Sequence, residues 1–107
     1  MALLTVQQIS KTGLLPTYAV ASASDTFVGD EHTYIEVINS GIADTIVTVD
    51  AKQNCSQGYD HNCVVTIPAG YRRKIGIFES WLFNDSSGII TITFSVITSV
   101  TVGVFKI

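Results

Sequence analysis

Cys55 and Cys63 bracket the segment CSQGYDHNC, which also holds Asp60 and His61. Thiolate, imidazole and carboxylate are the side chains that bind zinc. The C-x5-H-x-C spacing, however, matches no structural zinc motif and brings no evident fourth ligand. The two cysteines would also suit a disulfide at a hairpin tip, worth about 2.5 kcal/mol for so short a loop. The start MALLTVQQIS has no basic stretch and no long apolar core, so it does not read as a secretory leader. Synthesis in a cytoplasm, with a reduced pair, is then the first expectation, and oxidation after cell lysis is the alternative.

Asp30, Glu31 and His32 are the residue types of acid–base catalysis, but adjacent side chains in a turn diverge. A catalytic pair must converge in a cleft. No G-x-S-x-G, H-E-x-x-H or phosphate-binding loop occurs, and no cofactor is expected. The sequence is read as that of a non-enzyme. Trp81, Tyr59 and Tyr71 could stack on sugar rings, and equally could serve a core or an interface. Arg72-Arg73-Lys74 is the one basic cluster, suited to guarding an edge strand or to pairing with a partner's acids.

The elements that must position these residues are strands. Ile90, Ile92, Phe94 and Val96 alternate with Thr91, Thr93 and Ser95, so one face is dry and one wet. Val100, Val102 and Val104 repeat the pattern, and the short link between the runs predicts an antiparallel hairpin. Earlier runs predict strands at 17–21, 26–28, 33–38, 43–49, 63–67, 72–78 and 80–83, with Gly76 a candidate bulge. Turn residues recur at about 8–12-residue spacing, the pattern of a sandwich, jelly roll or barrel. The expectation is an all-β, antiparallel β-sandwich or jelly roll of about eight short strands over residues 17–107.

Residues 1–16 read as a separate arm. Thr5 and Gln8 fit a capping box, Gly13 fits a helix end and Pro16 stops continuation, which predicts a short helical turn near Thr5–Lys11. Leu3, Leu4, Val6, Ile9, Leu14 and Leu15 make the arm sticky. It would either cap the domain's own core or grip a neighbour.

Composition points to assembly. Only 14% of the 107 residues are charged while 47% are hydrophobic, against about 25% charged in ordinary domains. A small domain has proportionally more surface to wet, so low charge suggests coverage by other subunits. A net charge of −3 argues against a nucleic-acid footprint, and no apolar run is long enough for a membrane-spanning helix.

The order of short motifs resembles a known family. T-x-x-x-I (Thr5–Ile9) is followed by T-G-L-x-P-T-Y (Thr12–Tyr18), D-x-F (Asp25–Phe27), N-x-G (Asn39–Gly41) and V-x-I-P-A-G (Val65–Gly70). Then come G-x-F (Gly76–Phe78), N-D (Asn84-Asp85) and S-V-T-V-G-V (Ser99–Val104). Together they span nearly the whole chain and are similar to the decoration, or cement, proteins of tailed bacteriophage capsids. The excursion Lys52–Asn62 departs from that pattern. The resemblance implies a compact β-domain on the exterior of the virion, bound to the major capsid protein and bridging capsomers, often as a trimer. On it, the arm residues become the capsid grip. Arg72, Arg73, Lys74, Ile75, Ile77 and Phe105, with the terminal hairpin, become the expected oligomer seam. A head–tail connector or tail protein, and a carbohydrate-binding module, are the competing expectations.

Overall fold

The computed structural model describes residues 2–52, 62–76, 78 and 80–107. Their elements, in chain order, are β1 (Ala2–Leu4), β2 (Val6–Gln8), β3 (Ala19–Val20), β4 (Ser24–Val28), β5 (Thr33–Asn39), β6 (Thr45–Val49), β7 (Cys63–Ile67), β8 (Arg72–Gly76), α1 (Ser80–Phe83), β9 (Ile89–Phe94) and β10 (Val100–Lys106). The all-β expectation holds. One sheet has the order β1-β4-β9-β6-β7, the other β2-β10-β5-β8 with β3 also on β10. Both sheets are five-stranded and mixed; without β1 and β2 they are the four-stranded β4-β9-β6-β7 and β3-β10-β5-β8, eight strands joined by antiparallel pairs alone.

The dry parities read from the sequence meet between the sheets. Phe27, Val47, Val49, Ile90 and Ile92 of one sheet pack toward Ile35, Val37, Val100, Val102 and Val104 of the other, all at 1% exposure or less. Phe27 lies 6.1 Å from Phe78, and Phe78 lies edge-on to Phe83 at 5.4 Å. Asn39, at the end of β5, joins the layers: its amide donates to the carbonyls of Ala43 at 2.8 Å and Ile67 at 3.1 Å.

Four expectations are corrected. The terminal runs do not form a hairpin, because β9 pairs with β4 and β6 while β10 pairs with β5, β2 and β3. In a hairpin both dry faces would point the same way and need a third layer. Residues 95–99 instead arch between the sheets, with Ser99 in the left-handed region at φ 58°, so the dry faces confront each other. Residues 80–83 are helical rather than extended. A strand would send Leu82 and Phe83 to opposite sides; the helical turn turns both inward and leaves Trp81 outside.

The third correction concerns the arm, which is extended where a helix was expected. A single helical turn is marginal alone, whereas β4 and β10 offer sheet edges with unpaired backbone groups. β1 lies parallel to β4 and β2 parallel to β10, so the segment switches sheets at Thr5 and closes one side of the sandwich. Those two parallel pairs are the fourth correction, to the purely antiparallel expectation. Leu4 is in the core at 8% exposure, while Leu3, on the opposite parity, is 66% exposed. Leu4→Ala is therefore expected to cost about 2 kcal/mol and Leu3→Ala less than about 0.5 kcal/mol, read as urea midpoints at equal slope. Equal costs would show that β1 is not part of the core.

Candidate interaction surface

The two outer faces of the sandwich differ. On the β5–β10 sheet, residues 9–18 fold back as a strap. Gln7 fastens it: its side-chain oxygen accepts from the Thr17 amide at 2.9 Å, and its side-chain nitrogen donates to the Thr17 carbonyl at 2.8 Å. The Tyr18 hydroxyl then donates to Glu36 at 2.5 Å, and Glu36 also meets Arg72 at 3.5 Å. Burial, together with the Glu36 carboxylate, pushes the Tyr18 hydroxyl up to about 12. Phe105 lies beneath, edge-on to Tyr18 at 5.9 Å and stacked on Tyr34 at 5.6 Å. Gly103 leaves the room for this, since a Cβ there would come within 3.0 Å of both the Phe105 and Tyr18 rings. A cleft of about 420 Å³ remains under the strap. Of its polar groups, Tyr18, Glu36 and Arg72 are bonded to one another.

Among the described residues the outer face of the β4–β9–β6 sheet carries no strap. The register places Leu3, Thr26 and Thr91 in one row, and Ser24, Thr93, Thr48 and Val64 in the next. Ile46 stands opposite Thr66, and Val28 opposite Ile89. None of these side chains is charged. Leu3, Val28, Ile46 and Val64 are 66, 54, 43 and 60% exposed. Charge enters through Lys52, which pairs with Asp50 at 2.8 Å and donates to the Thr91 hydroxyl at 3.4 Å. Five strands about 4.8 Å apart and about five residues long present about 400 Å². That is half of what one partner contributes to a standard stable interface of about 800 Å² per side, so a single copy would hold weakly. The wet parity of each strand was legible in the sequence. That these parities line up into one uncharged face needed the register.

Among the described residues the chemically suggestive side chains do not converge. Asp30 is used locally, accepting from the His32 amide at 2.7 Å, the Thr33 hydroxyl at 2.8 Å and Lys106 at 2.9 Å. The amide of His32, with Lys106 and Thr33, holds its carboxyl down at about 2. A depressed carboxylate stabilises the fold above its unfolded range near 4, and this contribution drains as pH falls through about 2. Asp30→Asn is expected to flatten the acid limb of the thermal midpoint between those values; an unchanged limb would place acid sensitivity elsewhere. Asp85 is likewise lowered, by the Ile89 and Ser87 amides that it accepts from.

Among the described residues no three His, Cys, Asp or Glu side chains are grouped as metal ligands would be. Cys63 begins β7 as a free, half-buried thiol, and burial pushes it upward. Cys55, Tyr59, Asp60, His61 and Ile77 lie outside the described residues, and with them the disulfide, the zinc reading and part of the seam. Trp81 and Tyr71 are exposed, on α1 and beside β8. Of the arm residues, Val6 packs on the core, Leu14 is a half-buried part of the strap that lines the cleft, and Ile9 and Leu15 are exposed. Of the seam residues, Arg72, Arg73 and Lys74 are exposed, whereas Ile75 and Phe105, at 6 and 4%, already pack within this chain. No helix among the described residues is long and apolar enough to cross a membrane. No protein-family model, curated protein or solved structure matches the chain.

Proposed function

We propose that this protein is a structural component of a bacteriophage virion. It decorates the outside of the icosahedral head, binds the major capsid protein and cements neighbouring capsomers, itself assembled as a trimer. The observation that carries the reading is the uncharged outer face of the β4–β9–β6 sheet, with Leu3, Val28, Ile46 and Val64 exposed on it. Cementing requires no bond to be made or broken. It requires a modest contact repeated many times, and linked weak contacts multiply through effective concentration. The order of motifs from Thr5–Ile9 to Ser99–Val104 supports the same reading through its resemblance to decoration proteins.

The test is the copy number in purified particles, by quantitative mass spectrometry. A decoration protein is present in numbers comparable to the capsid subunit. A copy number smaller by orders of magnitude would move the protein to the connector or tail. A sugar-binding reading draws on one observation, the exposure of Trp81 at 64%. A glycan array answers it: binding abolished by Trp81→Ala would favour that reading, and silence would remove it.

A further inference from the structure

β8 ends its sheet, pairing with β5 on one side only among the described residues. The Asn39 amide donates to the Tyr71 carbonyl at 2.9 Å, which sets the phase of this ladder. By the antiparallel alternation, the backbone groups of Arg73 and Ile75 then face β5, and those of Arg72 and Lys74 face outward. Three of the chain's six basic residues stand on this five-residue strand. Arg72 reaches Glu36 at 3.5 Å while its side chain stays 62% exposed. Among the described residues neither Arg73 nor Lys74 meets a carboxylate. Arg73 instead lies over the Tyr71 ring at 5.5 Å and donates to the Arg72 carbonyl at 2.8 Å, covering one of the outward acceptors.

Beside this edge, on the inner side, the sandwich is open among the described residues. A groove of about 400 Å³ runs between β8, β7 and α1, lined by Val65, Ile75, Phe78 and Leu82 together with Arg73 and Lys74. A strand added beyond β8 would send alternate side chains toward Val65, Ile75, Phe78 and Leu82 in this groove. The others would pass Arg72 and Lys74 on the outer face.

We propose that β8 is a docking edge for an extended segment of a partner protein, apolar on one parity and Asp or Glu on the other. The charge decides the occupant. Two copies of this chain meeting β8 to β8 would set Arg72-Arg73-Lys74 against itself, and opposed like charges destabilise a strand pair. An acidic segment would meet Arg72 and Lys74 on the outer face as it completes the sheet. The reading in the preceding section enters only in naming the partner as the shell subunit.

The probe is a capped eight-residue peptide alternating Val and Glu, with a Val/Lys peptide as its control, titrated into the 15N-labelled protein. Saturable shifts at Arg72–Gly76 are expected with Val/Glu, weakening as salt rises, and none with Val/Lys. Lys74→Pro removes an outward amide without breaking the ladder to β5, a place where an edge strand accepts proline. It should bind the peptide at least tenfold more weakly. If that variant does not fold, Lys74→Glu serves, with the same expectation. Absence of Val/Glu binding to the wild type, or undiminished binding by a folded variant, would overturn the proposal. Intact peptide binding by a protein that ignores shells would remove the decoration role and leave the docking edge standing. Shells coated undiminished by Lys74→Pro would remove the edge from attachment.

Discussion

Asn39→Leu should lower folding stability by about 3–4 kcal/mol. Asn39 is 1% exposed, and its side-chain oxygen accepts from the Gly41 amide at 3.1 Å while its nitrogen donates to Ala43 and Ile67. Leucine is close in volume, so packing changes little. What changes is that three backbone groups lose their partner at once. Each buried polar group left unmade costs about 1–3 kcal/mol, and water can relieve the exposed turn at Ala43 in part. For a domain of this size the thermal midpoint should drop by about 15 °C. Asn39→Asp keeps the acceptor for Gly41 and loses both donors, so it should also be destabilised. A leucine variant within about 1 kcal/mol of wild type would mean that the junction between the sheets is not held by this side chain.

The second large effect is on attachment. Thr93 sits on the central strand of the sheet with the uncharged outer face, exposed, with Thr48 beside it in the row. Thr93→Asp places there a short charge that cannot reach back to solvent from a covered face. Desolvating an unpaired carboxylate is expected to weaken binding to shells at least a hundredfold, about 2.8 kcal/mol. Thr93→Val, similar in shape and apolar, should bind like the wild type. Both variants should keep the fold, since the site is outside the core, and circular dichroism checks this. Equal binding by the aspartate variant would take the contact off this face.

The core was legible in the residues themselves. Ile90, Ile92 and Phe94, and Val100, Val102 and Val104, are inward as their parity requires, because period 2 is a property of the single strand. Which strand lies beside which is not. The same two runs would satisfy a hairpin or an arch, and only the demand that dry faces meet without a third layer selects the arch. Residues 5–8 fit a capping box locally, but hydrogen bonds to β10 outweighed one turn of helix. The cover over Glu36 was equally out of reach, because it depends on Gln7 clipping the strap at Thr17, ten residues on. The basic triplet was visible, and its place on a sheet edge follows from pairing, not composition. The uncharged face was visible only strand by strand.

The most direct measurement is to mix purified protein with expanded, undecorated phage shells and follow both occupancy and heat survival. Saturable binding, with occupied shells withstanding higher temperature than bare ones, is the predicted result. A protein that leaves shells bare at every concentration would contradict the account.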